Sequence, residues 1–384
     1  MSTELYPILG LVVLSLGLGI IGVSSSINLY SHKIAEDPEL NSRCLRQRLF
    51  LTRVRSMLWI LVLLLVGGTL SMYAKEISSE NSNLAKTREK LFPVYDKEKI
   101  WQAPDVFLAE TDPDADLIQY GRDLIARTQD YFGEHGIVRP SSINSLNCQN
   151  CHLDAGTKAF GNNYSAVQSI YPKIRGRSGQ LETIPKRIND CFERSLNGQP
   201  LDTTSHEMKA MVAYMQWLGT GIPKGESPKG KGLVDLPLLD RAADPVLGKA
   251  VYDRQCASCH GSDGQGLVIP GSPRSYPPLW GAGSYNQAAG LFRLSRFASY
   301  VKANMPFGAT YENPQLSDEE AWDVAAYVDS RDRPKHPFLD LDWPDISKKP
   351  FDHPFGPYAD PFSEEQHKYG PFGPIKDFQK AKTK

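Results

Sequence analysis

The chain has 384 residues, 41% hydrophobic and 23% charged, enough for two or three domains of roughly 150 residues with an ordinary core. A formal net charge of −1 excludes a dedicated nucleic-acid binder, which carries a basic excess, and the composition excludes disorder as the dominant state. Six cysteines are too few for a disulfide scaffold of this length, yet four of them fall in two Cys-x-x-Cys-His motifs.

Two apolar runs open the chain, Ile8–Val23 (extendable to residue 30) and Met57–Tyr73. Each is about long enough to cross roughly 30 Å of hydrocarbon as a helix, so transmembrane helices are expected over about 7–28 and 56–74. The leading MSTELYP carries Glu4 and no Lys or Arg, which argues against a cleaved signal peptide. The expected loop 31–55 holds Lys33, Arg43, Arg46, Arg48, Arg53 and Arg55 against Glu36, Asp37 and Glu39, a net of +3. The positive-inside rule puts that loop in the cytoplasm, giving a two-span anchor in the cytoplasmic (inner) membrane with the rest exported to the periplasm. Two buried core helices are the alternative, and they leave the charged loop unexplained. Residues 76–104 are polar and helix-prone and are expected as a stalk.

Two segments of similar design follow, over 105–222 and 241–333. The first runs from an amphipathic stretch at Gly121 through Cys148-Gln-Asn-Cys151-His152 to a helical run ending MKAMVAYMQWL. The second runs from Gly248 through Cys256-Ala-Ser-Cys259-His260 to EEAWDVAAYVDS. Setting Val212-Ala213-Tyr214 against Ala325-Ala326-Tyr327 aligns the closing helices, so the order of elements is duplicated. A Pro/Gly-rich linker, 223–240, separates the halves. The tail 334–384 carries nine prolines and nine aromatics with little helical periodicity, and is expected to pack, extended, over the globular surface.

Cys-x-x-Cys-His in an exported protein is the attachment signal for haem c: two thiols bond the vinyl groups and the adjacent histidine reaches the iron. A single match also fits a zinc half-site or a redox dithiol. Two matches in duplicated helical segments predict a mainly α protein with two class I cytochrome c-like domains in tandem, Cys148, Cys151, Cys256 and Cys259 binding two covalent haems. His152 and His260 are then the proximal metal ligands. For the second haem the distal ligand is Met305, the only methionine after His260, with Lys302 as a minor alternative.

The first haem is less ordinary. Met208, Met211 and Met215 lie at helical spacing and suit core packing, and His206 starts that same run. Cys191 lies 39 residues after His152, close to the 45-residue offset of Met305 from His260. Its other free cysteine, Cys44, falls on the cytoplasmic loop, so Cys191 has no disulfide partner in its own compartment. A buried inert thiol or an intermolecular bridge stays open; a haem thiolate, lowering the potential, is favoured. Residues 173–194 carry Lys173, Arg175, Arg177, Lys186, Arg187 and Arg194 against three acids, a net of +3. Such a run is usually a solvated face. Beside a nucleophilic sulfur it also suits a small multiply charged anion.

The run Arg187-Ile-Asn-Asp-Cys-Phe-Glu-Arg-Ser-Leu-Asn-Gly198, the two haem motifs, Lys302-Ala-Asn-Met-Pro-Phe-Gly308 and the Pro/aromatic tail resemble the periplasmic di-haem thiosulfate dehydrogenases, over roughly residues 105–375. The resemblance implies an enzyme that couples two thiosulfates to tetrathionate, or runs in reverse, at a first haem held by His152 and Cys191. It implies His260 and Met305 at the second haem. Some members place a lysine directly before that methionine, where this chain has Asn304. Arg175, Arg177 and Lys186 are the first candidates to offset the charge of the substrate. Electrons would pass to a cytochrome c or a membrane respiratory acceptor. The rival is a non-catalytic di-haem electron-transfer subunit, such as that of a haem–copper oxidase; a di-haem peroxidase has only the haem count in its favour.

Overall fold

The computed structural model describes residues 5–36, 41–91, 95–105, 110, 112–268 and 275–382. The chain divides into two compact units, Met1–Lys90 and Leu91–Lys384. The first consists of two helices, α1 (Leu5–Glu36) and α2 (Asn41–Leu91). Both hold stretches long and apolar enough to cross a membrane, Gly10–Leu29 and Arg43–Asn83. Neither is a core helix, because Leu14, Leu18, Leu63 and Leu64 are all at least 67% exposed.

Residues 43–55, expected as part of a loop, are instead the opening turns of α2, and the expected stalk begins as its continuation. The reason is local. No Gly or Pro occurs between Thr69 and Phe92, so nothing interrupts the hydrogen-bond ladder until Pro93 disfavours it. At 1.5 Å per residue the 51-residue helix is about 75 Å long.

The second unit contains the duplicated halves. In the first, α3 (Ala115–Ala126) and the short α4 (Thr128–Phe132) precede the first Cys-x-x-Cys-His motif. Two single turns follow, α5 (Leu153–Gly156) and α6 (Val167–Ile170). A two-residue ladder, β1 (Lys173–Ile174) against β2 (Leu181–Glu182), leads to α7 (Ile184–Arg194) and the closing α8 (His206–Leu218). The second half repeats the plan with α9 (Pro245–Gln255), α10 (Ala257–His260), the ladder β3 (Leu267–Val268) with β4 (Ser275–Tyr276), α11 (Leu294–Asn304) and α12 (Asp318–Asp329). Ser205, Asp244 and Ser317 cap α8, α9 and α12 by accepting backbone N–H bonds, the last in a capping box with Glu320.

Each half is closed by its first helix crossing its last. A Cβ at Gly121 would lie 2.0 Å from the Ala210 carbonyl oxygen, and one at Gly248 would lie 1.8 Å from that of Asp323. Only glycine permits this approach. Gly248→Ala should therefore lower the thermal unfolding midpoint of the second unit by the equivalent of about 1–3 kcal/mol. Gly290→Ala, where a Cβ meets nothing within 4 Å, is the matched control and should leave the midpoint in place.

The tail, expected as an extended segment, is not wholly extended. It ends in α13 (Glu364–Tyr369), capped by Ser363, and α14 (Gly373–Lys382). Phe372 packs on Trp322 of α12 at 5.6 Å between ring centroids. Arg194 at the end of α7 holds Asp342 through two bonds of 2.6 and 2.7 Å, and Arg293 pairs with the buried Asp352. These pairs fasten the tail to both halves.

Candidate haem sites and the thiol at Cys191

The first motif begins in a turn over Cys148–Asn150, fixed by a capping box between Asn147 and Asn150. The Thr128 hydroxyl accepts from the Cys148 N–H at 3.0 Å. The His152 Nδ1 lies 2.5 Å from the carbonyl oxygen of Asn162 and donates to it, leaving Nε2 as the free lone pair. Tyr164 stacks on the imidazole at 4.5 Å. Burial lowers the His152 pKa to about 4, so the ring is neutral and able to ligate.

Cys148, Cys151 and His152 line a cleft of about 960 Å³, together with Cys191, Arg187, Met211 and Met215. Burial, with a smaller push from Cys191, raises the Cys151 thiol to about 12, and burial raises Cys148 to a similar value. A zinc site needs thiolates and converging ligands. Among the described residues, no three His, Cys, Asp or Glu side chains converge in that way. A cleft walled mainly by apolar groups, with two neutral thiols and one oriented imidazole, fits haem.

The second cleft, about 1750 Å³, is lined by Cys256, Cys259, His260 and Met305. Its histidine repeats the arrangement, Nδ1 lying 3.2 Å from the Pro277 carbonyl oxygen. Met305 caps α11, its N–H bonded to the Val301 carbonyl. Lys302 points elsewhere. Its Nζ donates to the Leu316 carbonyl at 2.7 Å and pairs with Asp318 at 2.6 Å. Leu146 and Cys151 line both clefts, so the two sites share part of a wall.

Cys191 sits near the C-terminal end of α7, on the turn after Arg187. The Arg187 Nη1 donates to the Cys191 sulfur at 3.1 Å. That sulfur holds the guanidinium in its charged form against the opposing cost of burial. The other distal candidates separate. Met211 and Met215 share the cleft with Cys191, whereas Met208 is fully buried in the core. His206 stacks on Tyr120 at 5.2 Å.

The basic run is largely satisfied from within. Arg175 donates to the buried Glu182 at 3.0 Å and lies 3.7 Å from the buried Asp190, which also pairs with Lys186. Arg177 donates to the Ala288 carbonyl at 2.8 Å and lies over the Trp343 ring, and burial lowers its pKa to about 10. Of the basic residues in that run, only Arg187 lines the first cleft among the described residues. The sequence carries the signal for it: Arg187 and Cys191 are four apart, the spacing that puts two helical side chains on one face.

Comparison with known proteins bears on both sites. The "Cytochrome c" family model matches residues 245–332, and "SoxA/TsdA, cytochrome c domain" matches residues 139–223. A thiosulfate dehydrogenase of Stutzerimonas stutzeri is 38% identical over 224 residues, covering 58% of this chain and 70% of the relative. One from Allochromatium vinosum is 39% identical over 234 residues, covering 59% of this chain and 85% of the relative. Among solved structures, the thiosulfate dehydrogenase (TsdBA) of Marichromatium purpuratum, in its as-isolated form, superposes with a TM-score of 0.57 at 32% identity. That match covers 63% of this chain and about half, 51%, of the solved one. Two cytochrome c domains make haem c the cofactor class, and the extent of the likeness to the curated relatives makes this chain a member of the thiosulfate dehydrogenase family.

Proposed function

We propose that the chain is a membrane-anchored di-haem enzyme that joins two thiosulfates into tetrathionate and passes two electrons to a respiratory acceptor. The observation that carries this reading is the Arg187–Cys191 contact in the cleft of the first Cys-x-x-Cys-His motif. A carrier with ordinary His/Met sites would have no use for a thiol and a guanidinium there. The two exposed apolar helices support the anchor, with the cytochrome halves on the periplasmic side. In this reading 105–222 is the catalytic domain, 241–333 the electron-transfer domain, and 223–240 the strap between them.

Cys148, Cys151 and His152 would hold the first haem covalently, and Cys256, Cys259 and His260 the second, with Cys191 and Met305 as the distal ligands. Haem c at the two sites supplies acceptance of one electron at each iron, which matches the two electrons released per tetrathionate. Cys191 handles the sulfur. A bond forms between its thiolate and the outer sulfur of one thiosulfate, with loss of two electrons, giving an S-thiosulfonate. The outer sulfur of a second thiosulfate then attacks the attached sulfur, which forms the central bond of tetrathionate and returns the thiolate. No proton is consumed, and charge balances at each stage. Arg187 is placed to offset the repulsion between two dianions and a thiolate. Arg175, Arg177 and Lys186, held by their own partners, shape the field behind it.

Thiosulfate-dependent reduction of ferricyanide by the purified holoprotein, with tetrathionate as product, tests the reaction class; electron transfer without turnover would leave the carrier reading. Because Lys302 is tied to Asp318 and Leu316, Lys302→Ala should leave the spectrum of the second haem unchanged in both oxidation states. A changed axial ligand signature on reduction of that variant would count against Met305.

A further inference from the structure

The helix that delivers Met305 is also fastened to the other site. Tyr300 and Asn304, both on α11 and only 5% and 4% exposed, reach across to the first cytochrome half. The Tyr300 hydroxyl donates to the carbonyl of Asn150, inside the first haem motif, at 2.6 Å. The Asn304 Nδ2 donates to the Phe160 carbonyl at 3.1 Å and to the Tyr300 carbonyl at 3.1 Å. Phe160 is two residues from Asn162, whose carbonyl orients His152.

One bond holds the chain inside the first motif, at Asn150, and the other holds it eight residues beyond the motif, at Phe160. From the first to just past the second runs a segment in which Asp154, Ala155, Phe160 and Asn162 all have φ of 53–57°, a conformation that side-chain-bearing residues keep only when neighbours hold it. Two of those neighbours are backbone carbonyls: Gly230 accepts from the Phe160 N–H and Gly232 from the Asn162 N–H. The other is the stretch after Met305, where Tyr311 packs on Phe160 at 4.6 Å between centroids. The Asn304 Oδ1 is buried without a hydrogen-bond partner among the described residues. The amide at this position therefore serves through its two Nδ2 bonds, which link the residue before Met305 to the segment that sets His152.

We propose that α11 couples the two sites: Tyr300 and Asn304 transmit a change of distal ligation at Cys191, through His152 and the 153–162 segment, to the grip on Met305. Both are positioning residues. The two latches are direct hydrogen bonds of 2.6 and 3.1 Å, one ending inside the motif that carries His152 and the other starting from the residue before Met305. In an enzyme that must move two electrons per turnover, this ties the state of the sulfur-handling site to that of the outgoing one. The inference rests on the ligand pairs His152/Cys191 and His260/Met305.

The test is a double-mutant cycle on the full-length holoprotein, read at the far-red absorption of a thioether–iron(III) bond while exogenous imidazole displaces Met305. With α11 intact, Cys191→Ala should shift the displacement midpoint about two- to tenfold, the range expected for losing the effect of one or two net hydrogen bonds. In the Tyr300→Phe, Asn304→Ala background, the same Cys191→Ala change should shift it less than about twofold. An equal shift in both backgrounds would show that the influence travels through the electric field alone and overturn the proposal; so would no shift in either. Should the double variant lose haem, Tyr300→Phe alone, which removes one hydroxyl and keeps the ring, must still reduce the coupling. Absence of the thioether band in the unaltered protein would instead overturn the Met305 assignment itself, a distinct result.

Discussion

Cys191→Ala is expected to abolish thiosulfate turnover, by roughly 10³-fold or more, while both haems stay attached. The magnitude follows from what the sulfur does. Without it no S-thiosulfonate forms, and joining two dianions directly would have to overcome their full repulsion in a cleft that holds one guanidinium against it. Attachment should survive, since in the proposed reading the thioethers would come from Cys148, Cys151, Cys256 and Cys259. The check is twofold: steady-state reduction of ferricyanide by thiosulfate, and the ferric spin-resonance spectrum. The thiolate-type low-spin signal should vanish along with activity, leaving the second haem's signal intact. A variant with normal turnover, or one retaining the thiolate signal, would remove Cys191 from the mechanism.

Replacing Arg187 by methionine should cost about 10- to 150-fold in kcat/KM. That range is what a lost charge-assisted hydrogen bond of about 1.5–3 kcal/mol converts to. Both parameters should suffer, because the guanidinium already donates to the Cys191 sulfur and would face the incoming anions in turnover. Arg187→Lys keeps the charge but loses the planar fork, and should recover only part of the loss. Arg175→Met offers the contrast. Its partner Glu182 would be left buried and unpaired, so thermal stability should fall more than catalysis does. If Arg187→Met kept its full kcat/KM, the sulfur would need another source of compensating charge.

Much of this was legible in the sequence. The two Cys-x-x-Cys-His motifs and the duplicated order of elements are visible in the residue pattern, the structure repeats that order in α3–α8 and α9–α12, and Met305, proposed as a ligand from its offset, lines the second cleft. Cys191 stood out because cysteine is chemically loud and its possible partners could be counted. What spacing could not convey was pairing. Arg175 and Lys186 look like free cations in a list of charges, but the β1–β2 ladder brings Glu182 beside Arg175, and Asp190 lies one helical turn from Lys186. Arg177 finds its acceptor at Ala288, 111 residues away in the other half. The continuity of α2 was missed for the opposite reason. A polar stretch without Gly or Pro reads as a neutral stalk, whereas a helix already nucleated by its neighbours simply propagates through it.

The stretch between the two cytochrome halves has the composition of a passive connector, yet Gly230 and Gly232 accept hydrogen bonds from Phe160 and Asn162, and Gly232 lines the first cleft. This connector is therefore part of the first site's masonry. A fragment ending at the last residue of α8 would lack that wall, so the first half cannot be excised, shuffled or grafted as a self-sufficient module by cutting where the sequence looks most severable. The same connector also serves the second half, where the Pro237 carbonyl accepts from the Trp322 indole at 3.0 Å.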